Sequence, residues 1–287
     1  MLRALILVVL VLGTSASPEQ AKVKPAASKS PDRVVASDYQ PSPDFDEQAE
    51  QQLLDKANQA RAQAGAPPLQ FDDGLMQAAR AHAAAMAREQ QLSHQLNGEP
   101  SLPHRLSASS VLHLDHAGEN VALDATADQS HEHLMRSPPH RENLLNANYN
   151  VAGFGVIRSG TALYVVQDFG HSLPAYTPEQ TENSILEAVN RTRRAAHMPV
   201  LARATEPMLR TAVCSMAQED RLATRPMHDL AQHYSVISYT NMHPEVLPAN
   251  AGRMVENRSF KNVAVGSCYA RTDTYPGGVY WVGLLLY

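Results

Sequence analysis

The chain has 287 residues, of which 18% are charged, and its formal net charge at pH 7 is -5. Its lysines and arginines form no basic run, so nucleic acid has no electrostatic footprint here and is not expected as a partner. The chain contains 2 cysteines, which excludes a cysteine-ligated zinc or iron–sulfur site.

The first sixteen residues, MLRALILVVLVLGTSA, have the three parts of a secretory signal peptide. Arg3 gives a positive start, residues 4–12 form an unbroken apolar run, and residues 14–16 supply a small-residue cleavage site. The apolar run is too short to cross a bilayer; an uncleaved interfacial anchor is the alternative. We therefore expect residues 1–16 to be removed and the mature protein, without a transmembrane span, to be secreted or periplasmic.

Residues 17–46 are rich in proline, serine, alanine and lysine and contain few large apolar side chains. Such a segment cannot bury enough apolar surface to offset the entropy of ordering it. We predict a disordered tether ahead of the folded part of the chain.

The remaining chain contains a weak internal repeat. Residues 53–70 align at constant spacing with 185–202, and the matched pairs are Asn58 with Asn190, Arg61 with Arg193, Pro67 with Pro199, and Leu69 with Leu201. Residues 149–170 likewise resemble 260–287. This order predicts a first domain at 47–170, a linker at 171–181 and a shortened second copy at 182–287.

In chain order, the first copy begins with two helices, the second of which is predicted to be capped by Asp73. Apolar positions and one histidine recur along that second helix at helical spacing: Leu75, Ala79, His82 and Met86. We interpret His82 as a core histidine with satisfied hydrogen bonds, and a ligand role is the minority alternative. Residues 151–158 and 162–169 then predict a hairpin that turns at Ser159-Gly160. Helices followed by a terminal hairpin indicate an α+β fold.

Three polar clusters interrupt these elements. His94 follows the second helix, Glu119 lies in HAGENVA, and His140 lies in SPPHREN. Ser137 suits an N-cap and Pro138 the first helical position, so His140 is expected in the first turn of a short helix. Two histidines and a carboxylate could bind a divalent metal or carry acid–base chemistry. The spacing alone favours a polar network between helix and loop.

Four motifs in order, LSH, AGENVA, MRSPPHRENLLNANYNVAGFGV and YVVQDFG, resemble the CAP superfamily, also called SCP domains. The similarity is to its bacterial branch, whose hallmark reads W-M-x-S-P-G-H-R-x-N-I-L-N. It implies an α-β-α sandwich with a surface cleft formed by His94, Glu119, His140 and Gln167. It also implies one divalent metal (zinc or similar), or a sterol or fatty acid, as a cleft ligand. Here Leu134 replaces the family's tryptophan, which forms a large cleft wall, and Pro139 replaces its glycine, which stiffens the loop.

The second copy has no counterpart of GEN or SPPHR, and Gly283 is aligned with Gln167. We interpret it as a degenerate CAP-like unit without a site; an unrelated α+β tail is the alternative. The two cysteines are either one disulfide or two buried thiols. On the CAP-type packing that the resemblance implies, we predict a disulfide between Cys214 on a helix and Cys268 on the hairpin. A ligand role is not expected for His228, His233 and His243.

Two functions compete. The chain lacks a G-x-S-x-G motif, and neither cysteine falls in the first copy, which favours a module that binds a lipid, another cell-envelope component or an extracellular protein. The alternative is a metal-assisted hydrolase in which His94 and His140 hold the ion. Glu119 would then be the third ligand or the catalytic base. An envelope-stress or adhesion protein dominated by its tether is a third hypothesis.

Overall fold

The computed structural model describes residues 45–287. The predicted signal peptide at 1–16 and the predicted tether up to residue 44 lie outside this part of the chain. Phe45 and Asp46 belong to the folded part. Phe45 forms an isolated bridge with Ile157, and the Asp46 side chain accepts a hydrogen bond from the Ala49 amide. The predicted tether is therefore too long by these two residues.

Two groups of helices and strands follow one another along residues 45–287. The first group comprises α1 (Glu47–Gln63), β1 (Gln70–Phe71), α2 (Asp73–Glu89), α3 (Leu102–Ser109), β2 (His113–Asp124), α4 (Ala127–Arg136), α5 (Pro138–Leu145), β3 (Val151–Ser159) and β4 (Ala162–Leu173). The second comprises α6 (Pro178–Ala195), β5 (Ala202–Arg203), α7 (Leu209–Gln218), α8 (Arg225–Ala231), β6 (Ser235–Asn241), α9 (Ala249–Val255), β7 (Asn262–Ala270) and β8 (Val279–Leu286). Among the helices of these residues, none has the length and apolarity that crossing a membrane requires.

Each group builds a four-stranded sheet with the same strand order. The first sheet runs β1-β3-β4-β2 and the second β5-β7-β8-β6. In both, the short edge strand pairs in parallel and the other pairs are antiparallel. The common order agrees with the repeat in the sequence, although the duplication itself stays a prediction.

Helices cover both faces of the first sheet because its central strand is apolar on both faces. Along β4, Leu163 and Val165 pack toward α1, α4 and α5, whereas Tyr164 and Val166 pack toward α2. This alternation has the period of two that a pleated strand imposes. The predicted α+β class and α-β-α sandwich are therefore confirmed for the first half. The second sheet is covered likewise, by α6 and α9 on one face and by α7 and α8 on the other.

Two glycines of β3 allow α2 to pack directly against the sheet. A Cβ atom at Gly153 would lie 1.9 Å from the Met76 nitrogen, and one at Gly155 would lie 2.3 Å from the Arg80 nitrogen. No side chain fits in that space, so both positions require glycine for close approach of the backbones. This contact fixes the helix that precedes His94.

Several local predictions can be compared with the structure. The hairpin of β3 and β4 is where the sequence predicted it, and Cys214 on α7 is bonded to Cys268 on β7, as predicted. The N-cap of α2 is Asp72, whose side chain accepts from the Leu75 amide at 2.8 Å, so the assignment to Asp73 was wrong by one residue. Residues 171–173 continue β4 and residues 178–181 begin α6, so the coil between the two halves spans only 174–177.

Candidate functional site

Glu119 lies on β2 and marks the centre of the candidate site. The glycine before it allows the close approach of neighbouring groups: a Cβ atom at Gly118 would lie 2.4 Å from the Tyr149 hydroxyl and 3.1 Å from the Asn143 side-chain oxygen. The Glu119 side chain is only 3% exposed. A buried carboxylate requires charged or hydrogen-bonding partners.

Both carboxylate oxygens of Glu119 have such partners. The Arg105 guanidinium of α3 donates from Nη2 to Oε2, and the His94 imidazole donates from Nδ1 to Oε1 at 2.9 Å. Arg105 also donates to the main-chain oxygens of His94 and Pro100, which ties the loop carrying His94 to α3. Glu119 is therefore an orienting group for His94, and each of its oxygens already accepts one hydrogen bond.

His82 forms the buried wall behind this ion pair. Its side chain is fully buried, with Nδ1 2.7 Å from Glu99 Oε1 and Nε2 2.9 Å from the Ser93 main-chain oxygen. Its interpretation as a satisfied core histidine is therefore correct. Nε2 also lies 3.9 Å from Glu119 Oε2, so this core histidine supports both the His94 loop and the carboxylate.

His94 presents the accessible part of the site, because its side chain is 58% exposed. The hydrogen bond to Glu119 raises the pKa of the His94 imidazole above its ordinary value of 6.5, against the opposing effect of burial. With Nδ1 bound to the carboxylate, Nε2 is the nitrogen available to a ligand. A carboxylate that fixes one imidazole nitrogen and leaves the other for a ligand is a common arrangement in binding sites.

His140 lies opposite His94. The two ring centroids are 6.3 Å apart with an interplanar angle of 33°. Burial, together with the charge of His94, lowers the pKa of the His140 imidazole. Ser137 and Pro138 occupy the predicted N-cap and first helical positions of α5, but the Ser137 side chain makes no capping hydrogen bond.

An amide network beneath the cleft holds the first turn of α5. Asn120 Nδ2 donates to the His140 main-chain oxygen at 3.0 Å and to Gln167 Oε1 at 3.2 Å. Asn143 Nδ2 donates to Asn120 Oδ1 at 3.0 Å and to the Glu119 main-chain oxygen at 3.2 Å. Gln167 is fully buried. It therefore lies beneath His94 and His140. Asn120 of the GEN motif and Asn143 of the HREN motif are the sequence features that could have predicted this network.

Asp168 is a further group of the site that the sequence reasoning missed, although it stands in the quoted motif YVVQDFG. It is fully buried, it faces Glu119 across the β2–β4 pair, and both of its carboxyl oxygens are buried without a hydrogen-bond partner. Burial, and then the negative charge of Glu119, raise the pKa of Asp168 well above its ordinary value of 3.8. These surroundings therefore favour the neutral, protonated form of Asp168.

The donor atoms permit a test of the expected metal. His94 Nε2 and the His140 imidazole fit as two nitrogen ligands. Glu119 fixes the orientation of His94, and the lowered pKa of His140 favours the neutral imidazole that a metal requires. Glu119 fits poorly as a third ligand, because its side chain is only 3% exposed and one of its oxygens is paired with the Arg105 guanidinium, a permanent cation. Within residues 45–287, the group that brings three ligand atoms within 4.8 Å of one another lies elsewhere, at Asp115, His116 and His171.

The corresponding position of the second sheet contains no such polar cluster. Phe169 pairs with Ala152 and Leu286 with Val263, at matching positions after the parallel edge strands. Counting back from these pairs places Leu284 at the position of Gln167, so the alignment with Gly283 was wrong by one residue. The same register places Val236 and Leu285 at the positions of Glu119 and Asp168. Aliphatic side chains thus replace the polar groups.

Comparison with known proteins gives matches for the first half of the chain. Residues 54–169 match the model of the Cysteine-rich secretory protein family, CAP. Over 113 residues the chain is 32% identical to the "Uncharacterized protein YkwD" of Bacillus subtilis (strain 168), a match that covers 39% of this chain and 44% of that protein. The chain thus spans less than half the length of this relative.

Two solved structures are also similar. One is an extracellular protein containing a SCP domain from Bacillus anthracis str. Ames, at 26% identity and a TM-score of 0.40, covering 44% of this chain and 41% of that chain. The other is Na-ASP-1, at 8% identity and a TM-score of 0.46, covering 83% of this chain and 89% of that chain.

Proposed function

We propose that this chain, whose residues 54–169 match the CAP family model, is a binding module that acts outside the cytoplasm. Its ligand would dock on the cleft between His94 and His140. The ligand class we propose is a cell-envelope component, such as a lipid headgroup, that presents an anionic oxygen.

One observation carries this proposal: both oxygens of the buried Glu119 are engaged, by Arg105 and by His94. A buried carboxylate that is paired with a guanidinium orients the imidazole and is poorly placed to act as a base. The neighbouring Asp168 has no access to solvent, and burial, followed by the negative charge of Glu119, raises its pKa. The atoms that the cleft offers to a ligand are therefore imidazole nitrogens.

Charge favours an anionic oxygen as the group recognised. The hydrogen bond to Glu119 stabilises the His94 imidazolium, which raises its pKa. Arg105 neutralises the negative charge of Glu119 beneath it. A protonated His94 would then donate from Nε2 to a phosphate or carboxylate oxygen as a charge-assisted hydrogen bond.

The open position of the histidine pair favours recognition of a headgroup over enclosure of a whole lipid. Four depressions of about 260 to 610 Å³ occur on residues 45–287, and none of these four is lined by His94, Glu119 or His140. An exposed imidazole suits the polar end of a ligand.

The Cys214–Cys268 disulfide supports action outside the cytoplasm, because disulfides persist in oxidising compartments. It agrees with the signal peptide expected at residues 1–16. Neither cysteine is free as a nucleophile, since both are in this bond. A thiol-dependent reaction is therefore not part of the proposal.

A divalent-metal-assisted hydrolase is the second candidate, and the proximity of His94 and His140, whose ring centroids are 6.3 Å apart, is what favours it. Both imidazoles would hold the ion. Glu119 would fix the orientation of His94 by accepting a hydrogen bond from the Nδ1–H of that histidine. The ion would supply an activated water when bound. The burial of Glu119 and its pairing with Arg105 do not favour it as a base or third ligand.

The test uses monomers of dodecyl phosphate and dodecyl maltoside, which share a tail and differ in the charge of the head. Binding is measured by calorimetry on the full chain, on His94→Ala and on His140→Ala. His133→Ala is the matched control, because its side chain is 60% exposed and is also paired with a carboxylate, Asp124. We expect dodecyl phosphate to bind the wild type and the control, and each cleft variant to lose at least about tenfold in affinity, the worth of one charge-assisted hydrogen bond.

Equal binding of the two detergents, or binding that survives in both cleft variants, would contradict the proposal. Zinc titration of the same variants separates the second candidate. Zinc binding that is lost in both variants, without phosphate selectivity, would favour the metal-dependent enzyme.

A further inference from the structure

Three histidines surround one carboxylate where the two halves meet. His171 Nδ1 lies 2.6 Å and His116 Nδ1 3.1 Å from Asp115 Oδ1, whereas His243 Nε2 lies 3.0 Å from Asp115 Oδ2. Asp115, His116 and His171 belong to the first sheet, whereas His243 follows β6 of the second sheet. The Asp115 side chain is 7% exposed, and the imidazoles are partly exposed, which leaves them accessible to an ion.

An irregularity in β2 creates this cluster. Leu114 pairs with Ser172 and His116 pairs with His171, so Asp115 is an extra residue in β2. Neighbouring residues of a regular strand point to opposite faces, and a bulge removes that alternation. Asp115 and His116 can therefore both approach His171.

We propose that Asp115, His116, His171 and His243 form a divalent transition-metal site that joins the two halves of the chain. Ligand atoms of the first three already lie within 4.8 Å of one another. A tetrahedral zinc ion with bonds of about 2.0–2.2 Å needs its donors about 3.3 Å apart, so short side-chain movements would form the site. One carboxylate and three imidazoles are a ligand set that Zn²⁺ accepts.

The surroundings allow an ion to reach the cluster and to act on the junction. An adjoining cavity of about 260 Å³ is walled by Asp115 and His116 on one side and by Met242, Arg271 and Tyr275 on the other. Other contacts also cross the junction. Arg271 donates to the main-chain oxygens of Ser107 and Leu112, and His113 stacks on Tyr269 with ring centroids 3.6 Å apart. A bound ion would thus add a further link between the two halves.

The cluster is distinct from the cleft described above, and the test must keep the two apart. The chelator-treated full chain carrying His94→Ala and His140→Ala is titrated with ZnCl₂ by calorimetry, and the same chain is melted with and without Zn²⁺. We expect one Zn²⁺ per chain in this background and a higher melting temperature when it is bound. We also expect Co²⁺ to give the visible absorption of a tetrahedral site.

Into that background we add His171→Ala or His243→Ala, with His233→Ala as the control because it is an exposed histidine of the second half. Each ligand variant should lose at least about tenfold in Zn²⁺ affinity, since even indirect partners of a metal contribute 10–100-fold. The control should bind as before. If circular dichroism shows that His171→Ala is unfolded, His116→Ala replaces it. No Zn²⁺ uptake in the background, or uptake that is unchanged in a folded ligand variant, would overturn the proposal.

Discussion

Arg105 and Glu119 form a buried ion pair at the base of the cleft, with side chains only 6% and 3% exposed. The arginine comes from α3 and the glutamate from β2, so the pair joins the helix to the sheet. It also determines what Glu119 can do, because the second carboxylate oxygen is bound to His94. The chemistry of the cleft therefore depends on this contact.

Loss of the Glu119 charge is expected to destabilise the fold. Glu119→Gln would leave the buried Arg105 guanidinium without its counter-ion, and breaking such a pair costs about 3–5 kcal/mol. Urea unfolding of the purified chain measures the change. Glu132→Gln is the control, because Glu132 pairs with Arg136 at the surface and should cost less than about 1 kcal/mol. Equal stability of Glu119→Gln and wild type would show that the pair is not maintained in solution.

The two cleft histidines should titrate in a fixed order. The pKa of His94 is raised by its hydrogen bond to Glu119, and the pKa of His140 is lowered by burial. Proton NMR of the imidazoles should therefore find His94 titrating above 6.5 and His140 below it. In Glu119→Gln the His94 value should fall. A His140 that titrates at higher pH than His94 would contradict this geometry.

The raised pKa of His94 also makes the free energy of unfolding depend on pH. Since the folded-state pKa of His94 is raised, its stabilising effect is present below pH 6.5 and is lost as the pH rises through the folded value. The side chain is largely exposed, so solvent screening keeps the contribution small.

Asp168 should make the chain less stable as the pH rises from mildly acidic values. Its folded-state pKa is raised well above 3.8. Between these two values the unfolded state has released its proton while the folded state keeps it, so the free energy of unfolding falls with rising pH. Asp168→Asn removes this titration and should be more stable than wild type at pH 7, with a smaller difference at pH 4. An equal stability difference at both pH values, by urea unfolding, would speak against a neutral Asp168.

Arg193 should be as important to the second half as its equivalent Arg61 is to the first. Arg61 donates to four main-chain oxygens, and Arg193 donates to those of Pro199, Val255 and Asn257. A lysine cannot reproduce this planar fork and would leave buried acceptors unpaired, at about 1–3 kcal/mol each. We expect Arg193→Lys to lower the free energy of unfolding by at least about 2 kcal/mol. Arg191→Lys, exposed on the same helix, should be neutral.

The sequence was most informative where spacing alone specifies the structure. The pairs Asn58 with Asn190 and Arg61 with Arg193 were visible as a repeat, and both asparagines bond the leucine eleven residues later. The stripe with His82 and the hairpin were also predicted, because periodicity of 3.6 and of 2 reports which side is buried.

The predictions failed where the structure depends on strand pairing and on contacts between residues that are distant in the sequence. The bulge at Asp115 has no local signature, so the approach of His243 from the second half could not be foreseen, and His243 was assigned no ligand role. Asp168 was missed because a carboxyl group on an apolar strand becomes a buried acid only through its neighbours. The alignment of Gly283 with Gln167 failed by one residue, since strand register is set by pairing and not by similarity along the chain.

The central claim is that His94 and His140 together form a binding surface in the first half of the chain, and imidazole NMR tests it most directly. Histidine resonances of the full chain are followed while dodecyl phosphate is added, with dodecyl maltoside as the neutral comparison. The account predicts that the His94 and His140 signals shift together at one apparent affinity with the phosphate alone, while those of His133 and His233 stay in place. Shifts confined to other histidines, or equal shifts with both detergents, would contradict it.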